Sequence, residues 1–524
     1  MSNLKKTMKI SFIALALLAS SPVLATCKTS ENNAGQELKG PWPLICGRNT
    51  SNLGISFDTK LQPPFEVAWS RLETTTGGVA VQSQPTVVGD VLYAANSGGN
   101  VFAVNALTGN LIWNTQIADE PFVTSPSISA DGFVYIAADT IYALNATTGA
   151  IVWSTPFSTP VVKTESAGNT IISGDKVLVG ISSTVQTDDV GAFIVYNRFT
   201  GEKLWQFDTS TFPNPPYGPG GGVWSCPSVD TKRGLIFVGS GQAYNGAASP
   251  YTDALLVFDL QGNLAWKYQF RINDVWSSSL TNLLPGTYDL DVSGHPILFS
   301  AEVDGKCVDL VGISSKDGSY RIFARDQKNP DYVQPLSYLQ LDPIASIQSI
   351  STRAIANDGV LYLASTALIG RTGARESLDY AIVDIAHQIN YLTQRTSVKT
   401  IALDLKKLLK AGNTSGTIPQ DAIIWETTTM PGLEMSNPLS YGNGILYQTS
   451  TTGWVRAIDA KTGAELWRHI PQPLADANAY IKLATFCSSG VTVTDKMLYI
   501  GLGFETGGLA LPGGGIVAYK PIKK

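Results

Sequence analysis

One pattern recurs along the chain: a short run of Val, Ile, Leu and Tyr, a turn of the form Asn/Asp-x-x-Thr-Gly or a close variant, and a second run that ends in tryptophan. Apolar or alternating runs of this length are typical of β-strands. In the turn, the Asn or Asp side chain bonds the local backbone and the glycine supplies a positive φ. Copies of the pattern end at Trp113, Trp153, Trp205, Trp266 and Trp467.

The spacing of these tryptophans identifies the module. Neighbouring copies are about 40 to 60 residues apart, which suits the four-stranded blade of a β-propeller. A large flat ring at the same place in each module can pack between neighbouring modules. The chain is therefore expected to be all-β, with blades arranged around a common axis.

Three further blades depart from the pattern. One runs from about Pro296 to Ala324 and has lost its tryptophan, and another begins at Asp358, resumes at Thr400 and ends at Trp425. The last, 496–519, stops before its tryptophan strand, but residues 65–69 (Phe-Glu-Val-Ala-Trp) can supply that strand and remove two exposed edges. We therefore predict an eight-bladed β-propeller over residues 61–524, closed by an N-terminal strand.

The sixth blade carries an insertion at about 367–399. Leu378, Ile382, Ile385 and Ile389 follow helical spacing within it. The insertion is interpreted either as a helix packed on the outside of the propeller or as a lid over one face.

The first 25 residues have the features of a secretory signal peptide. Three lysines precede an apolar run, 12–19, that is too short to span a bilayer, and a small-residue cleavage site ends at Ala25. An N-terminal arm, 26–60, would follow in the exported protein, which we expect to be periplasmic or secreted. Cys27 lies close enough to the cleavage site for a lipoprotein to be the alternative.

Composition narrows the possible partners and cofactors. The formal net charge is −5 and the predicted signal peptide removes basic residues only, so nucleic acid is not expected as a partner. Three histidines are too scattered for a metal cluster or a catalytic triad, and the absence of C-x-x-C-H predicts no c-type haem. Of the five cysteines, Cys27 and Cys46 could staple the arm, although spacing alone cannot prove it.

Several stretches resemble one family. The tandem unit, together with residues 224–244, 273–276 and 289–298, is similar to the propeller of quinoprotein alcohol dehydrogenases, particularly the polyvinyl-alcohol dehydrogenase-like branch. The resemblance covers about residues 60–520. It implies an eight-bladed ring that holds pyrroloquinoline quinone (PQQ) and a calcium ion near its axis, with an aspartate as the base.

The resemblance assigns roles to three residues. Trp224 matches the tryptophan on which the quinone lies, Asp291 matches the general base, and Lys316 matches a cation that contacts the quinone oxygens. Each also has a plain structural alternative, namely blade packing for Trp224, a turn aspartate for Asp291 and a solvated turn lysine for Lys316.

The calcium ligands depart from the family pattern. Gln242 stands where an asparagine is expected and Gln186 where a glutamate is expected, which leaves Asp291 as the carboxylate ligand. Calcium prefers carboxylate oxygens, so the site is predicted to be weakened unless Asp188 or Asp189 compensates.

Two other family features differ. The adjacent cysteine pair of the family is absent, and Ser351-Thr-Arg-Ala-Ile replaces its Trp-Gly motif; Arg353 there could face an anionic ligand or be an ordinary strand residue. The glycine-rich stretches 218–222 and 511–515 are interpreted as tight loops, because they lack the Lys and Ser/Thr of a phosphate loop.

Two functions follow from these observations. The first is a PQQ-dependent dehydrogenase that oxidises a small or polymeric alcohol and passes electrons to a separate acceptor. The second is a degenerate propeller that binds a protein partner as an assembly scaffold, since one fold supports many functions.

Overall fold

The computed structural model describes Cys27 and most of residues 42–523. The gaps within that range are 43, 46, 48, 57–58, 74–79, 119–123, 158–165, 183–188, 213, 277–289, 293, 342–353, 369–395, 411–413, 430–436, 451–452, 472–489, 504, 507–508 and 511–513. The predicted signal peptide and most of the predicted helical insertion lie outside the described residues.

Eight sheets of consecutive antiparallel strands form the eight predicted blades of a β-propeller, and Ile55–Ser56 of the N-terminal arm adds a parallel strand to the inner edge of blade 7. The strands of blades 1 to 4 are, in chain order, Thr86–Val88, Val91–Ala95, Asn100–Asn105 and Leu111–Gln116; Ser127–Ile128, Phe133–Ala137, Thr140–Asn145 and Ile151–Pro156; Ser166–Ala167, Ile171–Ser173, Lys176–Ser182, Ala192–Asn197 and Lys203–Asp208; and Ser228–Asp230, Leu235–Gly239, Ala254–Asp259 and Leu264–Gln269.

Blades 5 to 8 follow the same order. Their strands are Ile297–Val303, Lys306–Ser314, Ser319–Ala324 and Ser337–Gln340; Ile355–Asn357, Val360–Leu368, Thr396–Asp404 and Ile423–Thr428; Ser440–Gly442, Ile445–Thr449, Val455–Asp459 and Glu465–His469; and Thr492–Val493, Leu498–Leu502, Gly514–Pro521 and Phe65–Glu73. Blade 5 has no tryptophan in its outer strand, as the sequence predicts.

Short elements complete the fold. Glu505–Thr506 and Leu509–Ala510 form a hairpin, Leu405–Leu408 is a one-turn helix, and Gln420–Ala422 is a 3₁₀ turn. Among the described residues, no helix has the length and apolar character needed to cross a bilayer.

The repeated turn and the repeated tryptophan pack against each other across blade junctions. Trp113 of blade 1 donates its indole N–H to the Ala146 carbonyl in the turn of blade 2 (2.9 Å). Gly149 of that turn has φ +73° and lies on the indole, where a Cβ would come within 2.5 Å of the ring. The glycine therefore permits both the backbone conformation and the close approach. The same pairing occurs between Trp69 and Gly109, Trp153 and Gly201, Trp205 and Gly262, and Trp425 and Gly463.

The ring closes as predicted. Phe65–Glu73 pairs antiparallel with Gly514–Pro521, so both ends of the propeller domain meet in blade 8. Trp69 in that strand then donates to the Ala106 carbonyl of blade 1 (2.8 Å), which seals the final junction. Closure pairs the strand edges that an open ring would expose.

The suggested Cys27–Cys46 staple is wrong, because Cys27 is bonded to Cys307 of blade 5. Sequence spacing pointed to Cys46 because that cysteine is near Cys27 along the chain. Spacing does not show which blade the arm reaches. The disulfide uses the Cys27 sulfur, which the lipoprotein alternative would need for the lipid.

Candidate active site

The site residues predicted from the resemblance lie in two kinds of loop. Trp224 and Asp291 precede the first strands of blades 4 and 5, whereas Gln242 and Lys316 lie between the second and third strands of those blades. In a four-stranded meander these two kinds of loop emerge at the same end of the sheet. The fold therefore directs all four residues to one face of the ring.

Asp291 and Lys316 form a buried ion pair. The Lys316 ammonium lies 2.6 Å from Asp291 Oδ2, and the two residues are 8% and 6% exposed, respectively. The Lys316 backbone N–H also donates to the Asp291 carbonyl (2.9 Å). Burial of either charge alone would be costly, so the pair holds both side chains in place. Lys316 is therefore not a solvated turn lysine.

The indole of Trp224 lies beside this pair. Lys316 Nζ is 5.2 Å from the centroid of the ring, within the range of a cation–π contact. Trp224 is only partly buried, so the ring keeps an accessible surface. Trp224, Lys316 and Asp291 thus converge on one place.

Gln242 contributes its backbone rather than only its side chain. Its N–H donates to Asp291 Oδ1 (2.9 Å), so that both carboxylate oxygens are engaged. The preceding residue, Gly241, packs so closely that a Cβ would overlap Oδ1. A glycine at 241 is therefore required for the loop to reach the carboxylate.

Tyr244 is a neighbour of the site that the sequence reasoning missed. Burial raises the pKa of Tyr244, the carboxylates of Asp291 and Asp189 raise it further, and a hydrogen bond with Ser182 lowers it in part. The tyrosine is thus held as a neutral phenol beside Asp291. Its only sequence signal was its position at the end of the 224–244 stretch.

The described residues fit a quinone better than calcium. A planar anionic quinone matches an indole face beside an ammonium. In the part of the chain that the structure covers, no three His, Cys, Asp or Glu residues group together as metal ligands, and both oxygens of Asp291 already accept hydrogen bonds. Gln186, Asp188 and Arg353 lie outside the described residues, so the calcium ligand set stays a prediction and no step below uses it.

Comparisons with known proteins agree with the fold. Residues 155–330 match the family model described as the β-propeller domain of glucose/ethanol/alcohol dehydrogenases (PQQ), and residues 65–129 match a model described as outer membrane protein assembly factor BamB. A crystal structure of quinohemoprotein alcohol dehydrogenase from Comamonas testosteroni superposes with a TM-score of 0.64 at 16% identity, over 91% of this chain and 80% of that one. This chain has the fold of the quinoprotein alcohol dehydrogenases and is similar to them in sequence.

Two relatives of this propeller carry the name polyvinylalcohol dehydrogenase. A polyvinylalcohol dehydrogenase of Sphingopyxis sp. (strain 113P3) is 26% identical over 484 residues, which cover 82% of this chain and 68% of the relative. A polyvinylalcohol dehydrogenase of Pseudomonas sp. is 24% identical over 338 residues, which cover 57% of this chain and 51% of the relative. The predicted resemblance, including its branch, is confirmed.

Proposed function

We propose that this propeller is an exported oxidoreductase that oxidises an alcohol with PQQ as its cofactor. The observation that carries the proposal is the convergence of Trp224, Lys316 and Asp291 on one face of the ring. These residues come from three separate loops, and blade packing alone would not require an indole, an ammonium and a carboxylate to meet.

The three side chains divide the work of the proposed reaction. The indole of Trp224 would support the flat face of the quinone, and the Lys316 ammonium would contact its oxygens and stabilise negative charge there. When bound, PQQ supplies a two-electron acceptor for the hydride of the alcohol carbon.

Asp291 would accept the hydroxyl proton of the alcohol. The Gln242 N–H and the Lys316 ammonium orient its two oxygens, so the carboxylate is fixed before the substrate arrives. A positioned base of this kind contributes a factor of roughly 10² to 10⁴ to the rate.

The substrate class and the electron acceptor are narrower proposals. Two relatives are named for a polymeric alcohol, which supports a substrate with repeated secondary hydroxyl groups. The sequence contains no C-x-x-C-H, so we propose that electrons leave to a separate acceptor rather than to a c-type haem in the chain. The Cys27–Cys307 disulfide supports export to an oxidising compartment.

Quinone binding and dye reduction test the proposal directly. The purified chain would be titrated with PQQ by calorimetry and then assayed with an artificial electron acceptor, using short-chain alcohols and polyvinyl alcohol. We expect binding and alcohol-dependent dye reduction. A chain that binds no quinone in the presence or absence of added calcium would contradict the proposal and favour the scaffold alternative, for which the match of residues 65–129 to the assembly-factor model is the available support.

A further inference from the structure

The N-terminal arm enters the middle of the propeller. Its described residues 49–56, called here the axial arm, bond to the first strands of several blades, which lie nearest the axis. The Val229 N–H of blade 4 donates to the Thr50 carbonyl (2.8 Å), and the Leu298 N–H of blade 5 donates to the Ser51 carbonyl (2.9 Å). The Tyr441 N–H of blade 7 donates to the Gly54 carbonyl (2.9 Å).

These bonds satisfy donors on the free inner edges of three blades. An unpaired backbone group away from water is costly, so the inner edges need such a partner. Thr50, Ser51 and Asn52 are each 0% exposed, which shows that the arm is part of the interior rather than a surface strap.

Asn52 makes the closest link between the axial arm and the candidate site. Its side-chain amide nitrogen lies 3.0 Å from the Cys226 carbonyl and 2.9 Å from the Pro227 carbonyl, in the segment that begins with Trp224. The same nitrogen lies 3.1 Å from the Pro296 carbonyl, at the end of the segment that carries Asp291. One amide group thus touches the bases of both loops.

We propose that Asn52 is a positioning residue, which holds the Trp224 and Asp291 segments at a fixed separation and so sets the space available to the quinone. The inference rests on the proposed function, because it concerns the geometry of the same site. Without the amide, the three carbonyls would lose the donor that they share, and a buried acceptor left without its donor is costly.

The residue type follows from two demands at this position. Asn52 has φ +58°, a left-handed conformation that asparagine tolerates better than most residues. Three carbonyl oxygens around its side chain require a donor, which aspartate cannot provide. Glycine would satisfy the backbone demand alone, so Asn52→Gly removes the amide without straining the chain.

Asn443→Gly is the matched control. Asn443 has φ +53°, and its amide donates to the Leu61 carbonyl (3.3 Å) at a hairpin turn of blade 7. Both variants therefore remove one amide from a left-handed asparagine, but only Asn52→Gly does so beneath the site.

The first readout separates positioning from folding. Well below the melting temperature of each variant, we expect Asn52→Gly to weaken PQQ binding at least tenfold and to lower kcat at saturating quinone, whereas Asn443→Gly stays within twofold of the wild type. Wild-type quinone affinity and kcat in Asn52→Gly would overturn the proposal.

The second readout does not depend on quinone binding. Cys226 is buried, with its sulfur 3.8 Å from Asn52 Oδ1, so its rate of reaction with a thiol reagent reports how tightly the Trp224 segment is held. In a chain with Cys46 and Cys487 changed to serine and the disulfide intact, Asn52→Gly should speed modification at least tenfold.

The two readouts keep the hypotheses apart. If the wild type binds no PQQ, the proposed function fails and the thiol reaction alone decides whether Asn52 holds the segment. An unchanged modification rate in Asn52→Gly, or an equal increase in Asn443→Gly, would overturn the inference.

Discussion

The junction between blades 1 and 2 differs in kind from the junction between blades 4 and 5. At the first, the Trp113 indole rests on Gly149 and donates to the Ala146 carbonyl. At the second, Trp266 is still present and buried, but within the described part of the chain its indole N–H has no hydrogen-bond acceptor. The centroid of the indole instead lies 6.1 Å from the centroid of the Phe323 ring, because blade 5 lacks the repeated turn.

Charged residues hold the second junction. Arg325 of blade 5, only 1% exposed, lies 2.7 Å from Asp230 of blade 4 and 3.0 Å from Asp309. Arg233 of blade 4 bridges the same two carboxylates at 3.0 and 2.8 Å. The four residues form one network across the blades.

The comparison shows where this repeat can be modified. A neutral tryptophan and glycine contact can be repeated at many junctions because each copy carries both halves. A buried charge network needs specific partners and gains little net stability, but it fixes geometry. Blades 4 and 5, whose loops supply Trp224, Asp291 and Lys316, are joined by the charge network rather than by the repeated tryptophan and glycine contact.

The largest effect is expected from Asp291→Asn. If the chemistry takes place at the junction between blades 4 and 5, this variant should lower kcat by roughly 10² to 10⁴, because the amide cannot accept the proton. Quinone binding should persist. Dye-linked alcohol oxidation measures the change. Trp113→Phe, at the junction between blades 1 and 2, is the control. An equal loss of kcat in that variant would show that the two junctions do not differ in their effect on catalysis.

Arg325→Met should give the largest loss of stability. The substitution leaves Asp230 buried beside one remaining arginine, and breaking a buried pair in this way costs about 3 to 5 kcal/mol. Chemical denaturation measures the free energy of unfolding. Lys406→Ala, at the exposed Lys406–Glu302 pair, should leave it unchanged; a similar result for Arg325→Met would mean that the network contributes nothing to the junction.

Gly149→Ala tests the tryptophan and glycine contact between blades 1 and 2. The alanine would have to keep the positive φ of Gly149, at about 1 to 2 kcal/mol, and its methyl group would have to displace the Trp113 indole, at about 1 to 3 kcal/mol more. Gly444→Ala is the matched control, since Gly444 has φ +77° and nothing lies within 4 Å of its added Cβ. Equal losses in the two variants would show that indole contact does not restrict the turn.

The smallest expected effect is on the pH dependence of the unfolding free energy, through Asp309 at the junction between blades 4 and 5. Burial acts to raise the pKa of Asp309, but hydrogen bonds from Ser300 and Arg233 and the charge of Arg325 outweigh it and lower the pKa. A lowered folded-state pKa adds stability that is complete above the unfolded value of about 3.9 and is lost as pH falls through the folded value. Asp309→Asn should therefore show a shallower decline in unfolding free energy below about pH 4; an identical decline would exclude Asp309 from the network's acid response.

The regular blades could be predicted from the sequence because their information is local. The apolar runs, the Thr-Gly turn and the tryptophan lie within one module, and the incomplete last module implied the partner strand at Phe65–Glu73. The number of blades followed by counting modules. Side chains that meet across junctions in the same way each time need no knowledge of the rest of the chain.

The site and the arm were predictable only in part, because their contacts join distant residues. The resemblance supplied Trp224, Asp291 and Lys316, but not the Gln242 backbone contact or the burial of Tyr244. Cys307, Arg325 and Asp230 look like ordinary residues in sequence. Only the crossing of the arm beneath the loops reveals that Asn52 faces the carbonyls of residues 226, 227 and 296.

The closure of blade 8 has a consequence for how the chain must assemble. Phe65–Glu73 is synthesised long before its partner Gly514–Pro521, so blade 8 cannot form until the last strand of the chain is available. Until then, Phe65–Glu73 is an unpaired strand that can pair with the last strand of another copy of the chain. Correct closure therefore depends on Gly514–Pro521 reaching the N-terminal strand of its own chain before that of another copy.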